Sequence, residues 1–383
     1  MKKKLLPLLT LVILFVLPIV IWLFKDEKIV NVAIIDKTVP TESYREHIGL
    51  TWLLNHHRYV TESGDRYQAD EHYYGFVPDE KAKSYTIRNL PEDLSGTDLI
   101  YLADSYGVYE EVLPWQSSDK QPGSSSMIAG GFDMSEWQTI KQQVQSQGTD
   151  LVVEFNTFAS PTPKDIAQDM NEFLGLEWSG WSGRHFVDLH SSNGELPDWI
   201  VENYEKTSGK WNFKGAGFVL VDDAEGDIVV LSEEAGDIGT NGLRLAFTEQ
   251  GTEHFNLSDS PSFNYWFDIN KAVSDTEVLA DYEWDLQKTG SEKLEAAGVP
   301  QTFPAVFHQS KHGADLYYFA GDFVDIQDTP SFYRYSGFSK LRSFLSTESL
   351  DAEKSFYWKT YVPMMEAILA NTEDRTVPRF PKD

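Results

Sequence analysis

Short β-rich runs alternate with helical patterns in the first half of the chain, and this alternation constrains the fold more than any other feature. Three runs have the branched and aromatic composition typical of strands: Lys28–Asp36, Thr97–Asp104 and Asp150–Phe155. Between them, apolar residues recur every four positions from Tyr44 to Trp52, and Met134–Gln147 also follows a helical pattern. We therefore predict an α/β fold with a mostly parallel sheet and helices on both of its faces.

Acidic residues lie where the predicted parallel strands end. Ligands of such sheets bind outside the carboxyl ends of the strands, and Asp36, Asp104 and Glu154 fall at these ends. Glycoside hydrolases hold two carboxyl groups roughly 5–9 Å apart, a separation that neighbouring strand ends can provide. Asp104 and Glu154 are therefore the catalytic candidates.

The N-terminal segment has the features of a membrane anchor. Lys2, Lys3 and Lys4 precede an uncharged run over residues 5–24, long enough to cross the roughly 30 Å hydrocarbon core as a helix. The run lacks the small-residue cleavage site of a secretory signal. The lysines predict a cytoplasmic N-terminus and an extracytoplasmic domain. We predict a single-pass signal anchor in the cell membrane, and a cleaved signal peptide is the alternative.

Composition excludes several classes of function. The 32 basic and 60 acidic residues give a net charge of −28, which repels nucleic-acid phosphates, so no nucleic-acid partner is expected. The chain has no cysteine, which rules out disulfides, thiolate metal sites and thiol nucleophiles. Hydrophobic residues make up 41% of the chain, enough for a substantial core.

The second half differs from the first. Phe213–Leu231 predicts two strands joined by an acidic turn, and strand-like runs around a glycine turn predict a hairpin between Ala305 and Asp322. Helical spacing returns between Phe356 and Leu369, where Pro363 predicts a kink. The predicted organisation is an anchor (1–27), an α/β core (28–210), a β-rich insertion (211–300), a return to the core with a C-terminal helix (301–370) and a loose tail (371–383).

Several of these runs resemble the class I glutamine amidotransferase-like superfamily, which has a flavodoxin-like core. The runs are Val32–Asp36, Asp98–Gly107, Leu151–Pro161 and Pro304–Asp322. The superfamily includes trehalose-utilisation-type proteins and the trimerisation domain of some β-galactosidases. The resemblance covers residues 30–180 and 300–325 and leaves the middle unmatched.

The chain departs from this family at the catalytic position. Catalytic members carry a cysteine at the sharp turn after a central strand, and the corresponding turn here, residues 155–160, contains Asn156 and Thr157 instead. GxSxG and HExxH sequences are also missing. The resemblance therefore implies a catalytically degenerate domain, and we predict no metal site and no cofactor. Asn156 and Thr157 remain ligand-binding candidates.

The most unusual local sequence is Glu177–Phe186, with two tryptophans, two glycines and an arginine. Flat aromatic faces beside arginine suit sugar rings and their acidic substituents. The ligand-binding candidates in this run are Trp178, Trp181, Arg184 and His185. The structural alternative is a tryptophan corner that packs the β-rich region against the sheet.

Three functional interpretations follow. The first is a non-catalytic binding or assembly protein of the cell surface, with a polysaccharide as its ligand. The second is a glycan hydrolase that uses Asp104 and Glu154. The third is a partner of other membrane proteins that docks through Tyr357, Tyr361 and Met365 on the C-terminal helix.

Overall fold

The computed structural model describes residues 13, 15–116, 126–273 and 275–376. Residues 15–23 are helical. The later helices are α1 (Arg45–His57), α2 (Met134–Gln147), α3 (Lys164–Leu174), α4 (Asp198–Thr207), α5 (Glu249–Phe255), α6 (Lys288–Ala296), α7 (Phe338–Leu345), α8 (Ala352–Phe356) and α9 (Val362–Thr376). The strands are β1 (Lys28–Ile29), β2 (Val32–Asp36), β3 (Tyr59–Val60), β4 (Tyr74–Asp79), β5 (Ser84–Arg88), β6 (Leu99–Asp104), β7 (Val108–Tyr109), β8 (Met127–Ala129), β9 (Asp150–Val153), β10 (Leu176–Phe186), β11 (Gly217–Asp222), β12 (Ile228–Ser232), β13 (Ile238–Phe247), β14 (Phe267–Ala272), β15 (Glu277–Leu286), β16 (Thr302–Lys311) and β17 (Ala314–Phe319).

A nine-stranded sheet forms the centre of the molecule, with the order β13-β15-β16-β17-β9-β6-β2-β4-β5. Its middle strands, from β17 to β4, run parallel. Both edges continue in antiparallel pairs. The predicted α/β fold is confirmed, but the sheet is mixed. Short turns join β4 to β5 and β16 to β17, and such turns can join only antiparallel strands.

The central strands are the runs that the sequence predicts. Every residue of β2, β6 and β9 is buried, as expected for parallel strands covered on both faces. Helix α2 has the predicted bounds because its ends are well defined. Asp133 and Glu136 form a reciprocal cap at its start, and Gly148 ends it in the left-handed conformation.

A second, antiparallel sheet has the order β12-β11-β10-β14. Its β11–β12 hairpin confirms the two strands predicted in the β-rich region. Strands β13 and β15 of the same region extend the central sheet instead. A bridge between Phe267 in β14 and Gly321, just after β17, joins the two sheets. The carboxyl end of the central sheet therefore lies beside β10.

The C-terminal helix contains a π-helical segment, Tyr357–Tyr361, between α8 and α9. Pro363 follows this segment, and a proline inside a helix disturbs the regular hydrogen bonding because it has no N–H group. The side chains of Tyr357, Tyr361 and Met365 are buried in the core. They therefore do not form the exposed docking face that the third interpretation requires.

The first six residues of the tail predicted to be loose are helical. Helix α9 continues to Thr376, and residues 377–383 lie outside the described residues. Thr372 and Arg375 both donate to Asp150, whose side chain is buried at the start of β9. These contacts fix residues that the sequence pattern assigned to the tail.

The predicted membrane anchor is only partly covered, because residues 5–12 and 14 lie outside the described residues. Within the described ranges, no helix has both the length and the apolarity needed to cross a bilayer. Trp22, near the end of the predicted span, is fully buried. Its indole Nε1 donates to the main-chain carbonyl of His56 over 2.7 Å. The end of the apolar run is thus attached to the folded body.

Candidate functional site

A cleft of about 380 Å³ opens at the carboxyl end of the parallel strands. This is the edge at which the sequence predicts a ligand site. Distant parts of the chain line the cleft, among them Asp104 at the end of β6, Asn156 after β9, Arg184 on β10, Arg45 and Glu46 on α1, and Asp322 and Asp325 after β17. Its volume falls within the roughly 300–1,000 Å³ typical of small-molecule sites.

Asp104, at the end of β6, is held in place on the cleft wall. Its carboxylate accepts hydrogen bonds from the Thr38 hydroxyl and from the Tyr106 amide, the latter over 2.6 Å. Burial raises the pKa of Asp104 to about 7, because the loss of solvation outweighs these hydrogen bonds. The carboxyl group can therefore gain or lose a proton near neutral pH.

Three further acids form a cluster on the same wall. Carboxylate oxygens of Glu46, Asp322 and Asp325 lie within 4.8 Å of one another. Burial, and then the neighbouring carboxylates, raise the pKa of Glu46 and of Asp322 well above the usual range. Oε2 of Glu46 is buried and has no hydrogen-bond partner. The spacing would allow these oxygens to hold a divalent cation such as Ca²⁺, whose bonds to oxygen are about 2.3–2.6 Å long.

Arg45 balances part of this negative charge. Its guanidinium donates to both carboxylate oxygens of Asp325 and to the hydroxyl of Tyr265. The Asp325 side chain is only 2% exposed. The first turn of α1 thus places a fixed cation between the acid cluster and the aromatic wall.

Another part of the lining combines an arginine with aromatic rings. The Arg184 guanidinium lies 5.0 Å from the centres of the Phe186 and Tyr265 rings and 5.8 Å from that of Trp266. These contacts restrict the flexible side chain, so its donors are presented in a defined position. Trp199, which is 39% exposed, also lines the cleft.

Asn156 lies in the turn after β9, where the resemblance found in the sequence would place a cysteine. It has a φ of 68°, a left-handed conformation that asparagine adopts more readily than most residues. Its main-chain carbonyl accepts from the Ser105 hydroxyl over 3.0 Å, and its side chain bonds to Asp104. The turn therefore presents the Asn156 amide to the cleft beside Asp104.

The other catalytic candidate lies beneath the cleft. Glu154 is fully buried and accepts from the Tyr101 hydroxyl and from the amides of Phe323 and Val324. Burial raises the pKa of Glu154 to about 8 despite these hydrogen bonds. Thr157 is equally buried and donates to the main-chain carbonyl of Glu154. Both side chains support the turn from below and are absent from the cleft lining.

The remaining ligand-binding candidates do not lie in one site. Arg184 and His185 are neighbours in β10, and neighbouring residues of a strand point to opposite faces. Arg184 faces the cleft, whereas His185 contacts Glu233 and the Phe218 ring on the other side of β10. Trp178 lines a different cavity, of about 1,120 Å³, beside α3. Trp178 and Trp181 are partly buried and pack against the main core, in agreement with the tryptophan-corner alternative.

Sequence reasoning missed several lining residues, namely Arg45, Glu46, Tyr265, Trp266, Asp322 and Asp325. The two aspartates carried a usable signal, since they follow β17 as Asp104 ends β6. The hairpin pattern concealed that β17 is itself parallel to β9. Nothing in the local sequence indicated that Tyr265 and Trp266 face the carboxyl ends of distant strands.

No protein-family model matches the sequence, and none of the curated proteins compared with it does. Among solved structures, a ThuA-like protein from Bacteroides uniformis has 11% identity and a TM-score of 0.36, over 84% of this chain and 94% of the other. A cytoplasmic protein from Salmonella typhimurium has 12% identity and a TM-score of 0.36, over 89% and 98%.

A β-galactosidase from Bacillus circulans has 11% identity and a TM-score of 0.32 over 77% of this chain. The chain spans about 30% of the length of that enzyme. These similarities agree with the resemblance found in the sequence. TM-scores at this level carry no argument about activity, so the function is inferred from the cleft itself.

Proposed function

We propose that the protein binds a saccharide in the cleft and acts as a binding or assembly protein of the cell surface. The observation that carries this proposal is the combination of aromatic and charged groups in one cleft. Arg184 is held among aromatic rings, and Asp104, Glu46, Asp322 and Asp325 line the same cleft. Aromatic faces pack on the apolar faces of sugar rings, while fixed charged groups bond to ring hydroxyls.

The proposed location is the outer face of the cell membrane, reached through the apolar run of residues 5–24. The lysines before the run favour a cytoplasmic N-terminus. In the described part of the run, large apolar side chains such as Phe15, Leu17 and Phe24 are exposed. A bilayer would remove this apolar surface from water, which is favourable by about 25 cal/mol per Å².

A glycan array probed with the full chain in detergent micelles tests the proposal. We expect saturable binding to at least one saccharide class. Trp199→Ala and Arg184→Gln should each weaken it by about tenfold, or ~1.4 kcal/mol. Trp181→Ala is the matched control, because Trp181 lies outside the cleft lining. If no saccharide binds, or if the control weakens binding as much as Trp199→Ala, the proposal fails.

A glycan hydrolase is the second candidate, favoured by the position of Asp104. This carboxyl group faces the cleft with a pKa of about 7, which suits a general acid. Asp325, ion-paired with Arg45 in the same cleft, could act as the second carboxylate. Release of reducing ends from a bound glycan, abolished by Asp104→Asn while binding persists, would favour the hydrolase over the binding protein.

A further inference from the structure

A second surface of the molecule exposes large apolar side chains in water. Helix α7 carries Leu341, Phe344 and Leu345 at positions i, i+3 and i+4, so they lie on one face of the helix. All three are exposed, Phe344 by 83%, and Phe332 and Leu350 on either side of the helix are exposed too. We call residues 332–350 the apolar segment. Concentrations of exposed apolar side chains mark interaction sites in soluble domains.

The apolar segment is basic although the protein is strongly acidic. It contains Arg334, Lys340 and Arg342 and one acidic residue, Glu348, whereas the whole chain has a net charge of −28. Arg334 and Lys340 are exposed. Basic side chains beside leucine and phenylalanine are typical of helices that lie in the interface of a membrane with anionic lipids.

The same segment contacts the helix that ends the predicted anchor. The Ser336 amide donates to the main-chain carbonyl of Pro18 over 3.1 Å, and the Tyr333 ring lies 5.8 Å from the ring of Trp22. His56 joins the two, because its carbonyl accepts from Trp22 and its Nδ1 donates to the Tyr333 carbonyl. The apolar segment thus packs directly against the helix that ends the predicted anchor.

We propose that the apolar segment lies in the headgroup region of the bilayer and rests the domain against the membrane. This inference builds on the anchor in the proposed function and adds a second contact with the same membrane. Lipid is the favoured occupant over a second copy of the chain because the segment contacts the helix that ends the predicted anchor, which keeps it close to the bilayer, and its basic side chains suit anionic headgroups. A contact of this kind would hold the domain in one orientation relative to the membrane.

Single cysteine labels test the proposal cleanly, because the chain contains no cysteine of its own. The full chain is placed in vesicles of phosphatidylcholine and phosphatidylglycerol with a fluorophore at Leu17→Cys, Phe344→Cys or Lys288→Cys. Position 288 is the control, since that side chain is 89% exposed on α6. We expect nitroxide lipids to quench the labels at 17 and 344, and aqueous iodide to quench only the label at 288.

The three labels separate this inference from the anchor. Iodide access at 344 with lipid quenching at 17 would overturn the membrane contact and leave the anchor standing. Access at both positions would overturn both. Shielding at 344 without lipid quenching would place a second copy of the chain on this surface and would also overturn the inference.

A paired set of variants measures the contribution of the apolar face itself. With a label at Leu350→Cys, the double variant Phe344→Ser, Leu345→Ser should lose lipid quenching several-fold. The control double variant is Tyr85→Ser, Ile87→Ser, which changes two side chains exposed by 43% each on β5. Equal loss in both variants, or no loss in either, would contradict the proposal.

Discussion

Arg45 donates to both carboxylate oxygens of Asp325, which lies 280 residues later in the chain. This ion pair joins the first turn of α1 to the loop after β17, and it neutralises one member of the acid cluster. Asp325 is 2% exposed and Arg45 36% exposed at their side chains. The cleft therefore depends on a contact between two segments that lie far apart in the chain.

Replacement of Arg45 by methionine should destabilise the protein by about 2 kcal/mol, since it leaves a buried carboxylate without its charged donor. Urea unfolding followed by tryptophan fluorescence measures the loss. Arg45→Met with Asp325→Asn should recover most of it. Lys288→Met, which removes one exposed ion pair with Glu292, is the control and should change stability little. A loss no larger than that of the control would contradict the role assigned to the pair.

Glu154 should make the protein less stable as the pH rises. Burial raises its folded-state pKa to about 8, whereas an unfolded glutamate titrates near about 4.3. Between these values the unfolded state releases a proton that the folded state keeps, so stability falls with increasing pH. Glu154→Gln removes this titration. As the pH rises between these two pKa values, the variant should therefore gain stability relative to the wild type, by up to ~1.4 kcal/mol per pH unit.

Urea unfolding midpoints at about pH 5 and about pH 8, the range bracketed by these pKa values, check the expectation for Glu154. Glu292→Gln on α6 is the matched control for the loss of one glutamate charge. A stability difference between Glu154→Gln and the wild type that does not change with pH would contradict the expectation.

His308 should contribute stability at acidic pH and lose it at alkaline pH. Burial alone would lower its pKa, but hydrogen bonds to Asp315 and Glu277 outweigh burial and raise it. A folded-state pKa above the unfolded value of roughly 6.5 means that the stabilisation is complete below that value and disappears as pH rises through the folded pKa. His308→Gln should therefore cost about 1 kcal/mol more at low pH than at high pH.

Thermal unfolding across this range tests the His308 expectation, with His190→Gln as the control. His190 is exposed, and its side chain bonds to the neighbouring Ser192. An NMR titration of the His308 ring would give its pKa directly. A pKa below that of an ordinary histidine would contradict the ion-pair argument.

Gly75, at the junction of β2 and β4, should tolerate no side chain. Its φ is 143°, and a Cβ there would lie 1.8 Å from the carbonyl oxygen of Asp36. Gly75→Ala should therefore cost about 3 kcal/mol or more, as backbone strain and overpacking combine. Gly64→Ala is the control, because Gly64 also has a positive φ but no atom within 4 Å of its Cβ position. Similar unfolding midpoints for the two variants would show that β2 and β4 are not tightly packed there.

The strands and helices in the first half of the chain could be predicted because their sequence patterns are local. Hydrophobic periodicity defines α1 and α2 within short windows, and the uninterrupted apolar runs of β2, β6 and β9 follow from burial on both faces. Asp104 and Asn156 could be placed at the cleft because Asp104 ends β6 and Asn156 lies in the turn after β9. The sequence also established the absence of a thiol nucleophile.

The rest of the cleft was decided by tertiary structure. Arg45 meets Asp325, and Arg184 meets Tyr265 and Trp266, only after strand order and sheet packing bring distant segments together. The same packing buries Glu154 under the turn. His185 points away from the cleft because the side chains of successive strand residues alternate between faces. Local sequence specifies which segments become strands and helices. The side chains that share a cleft depend on long-range packing, which leaves no periodic signal in the chain.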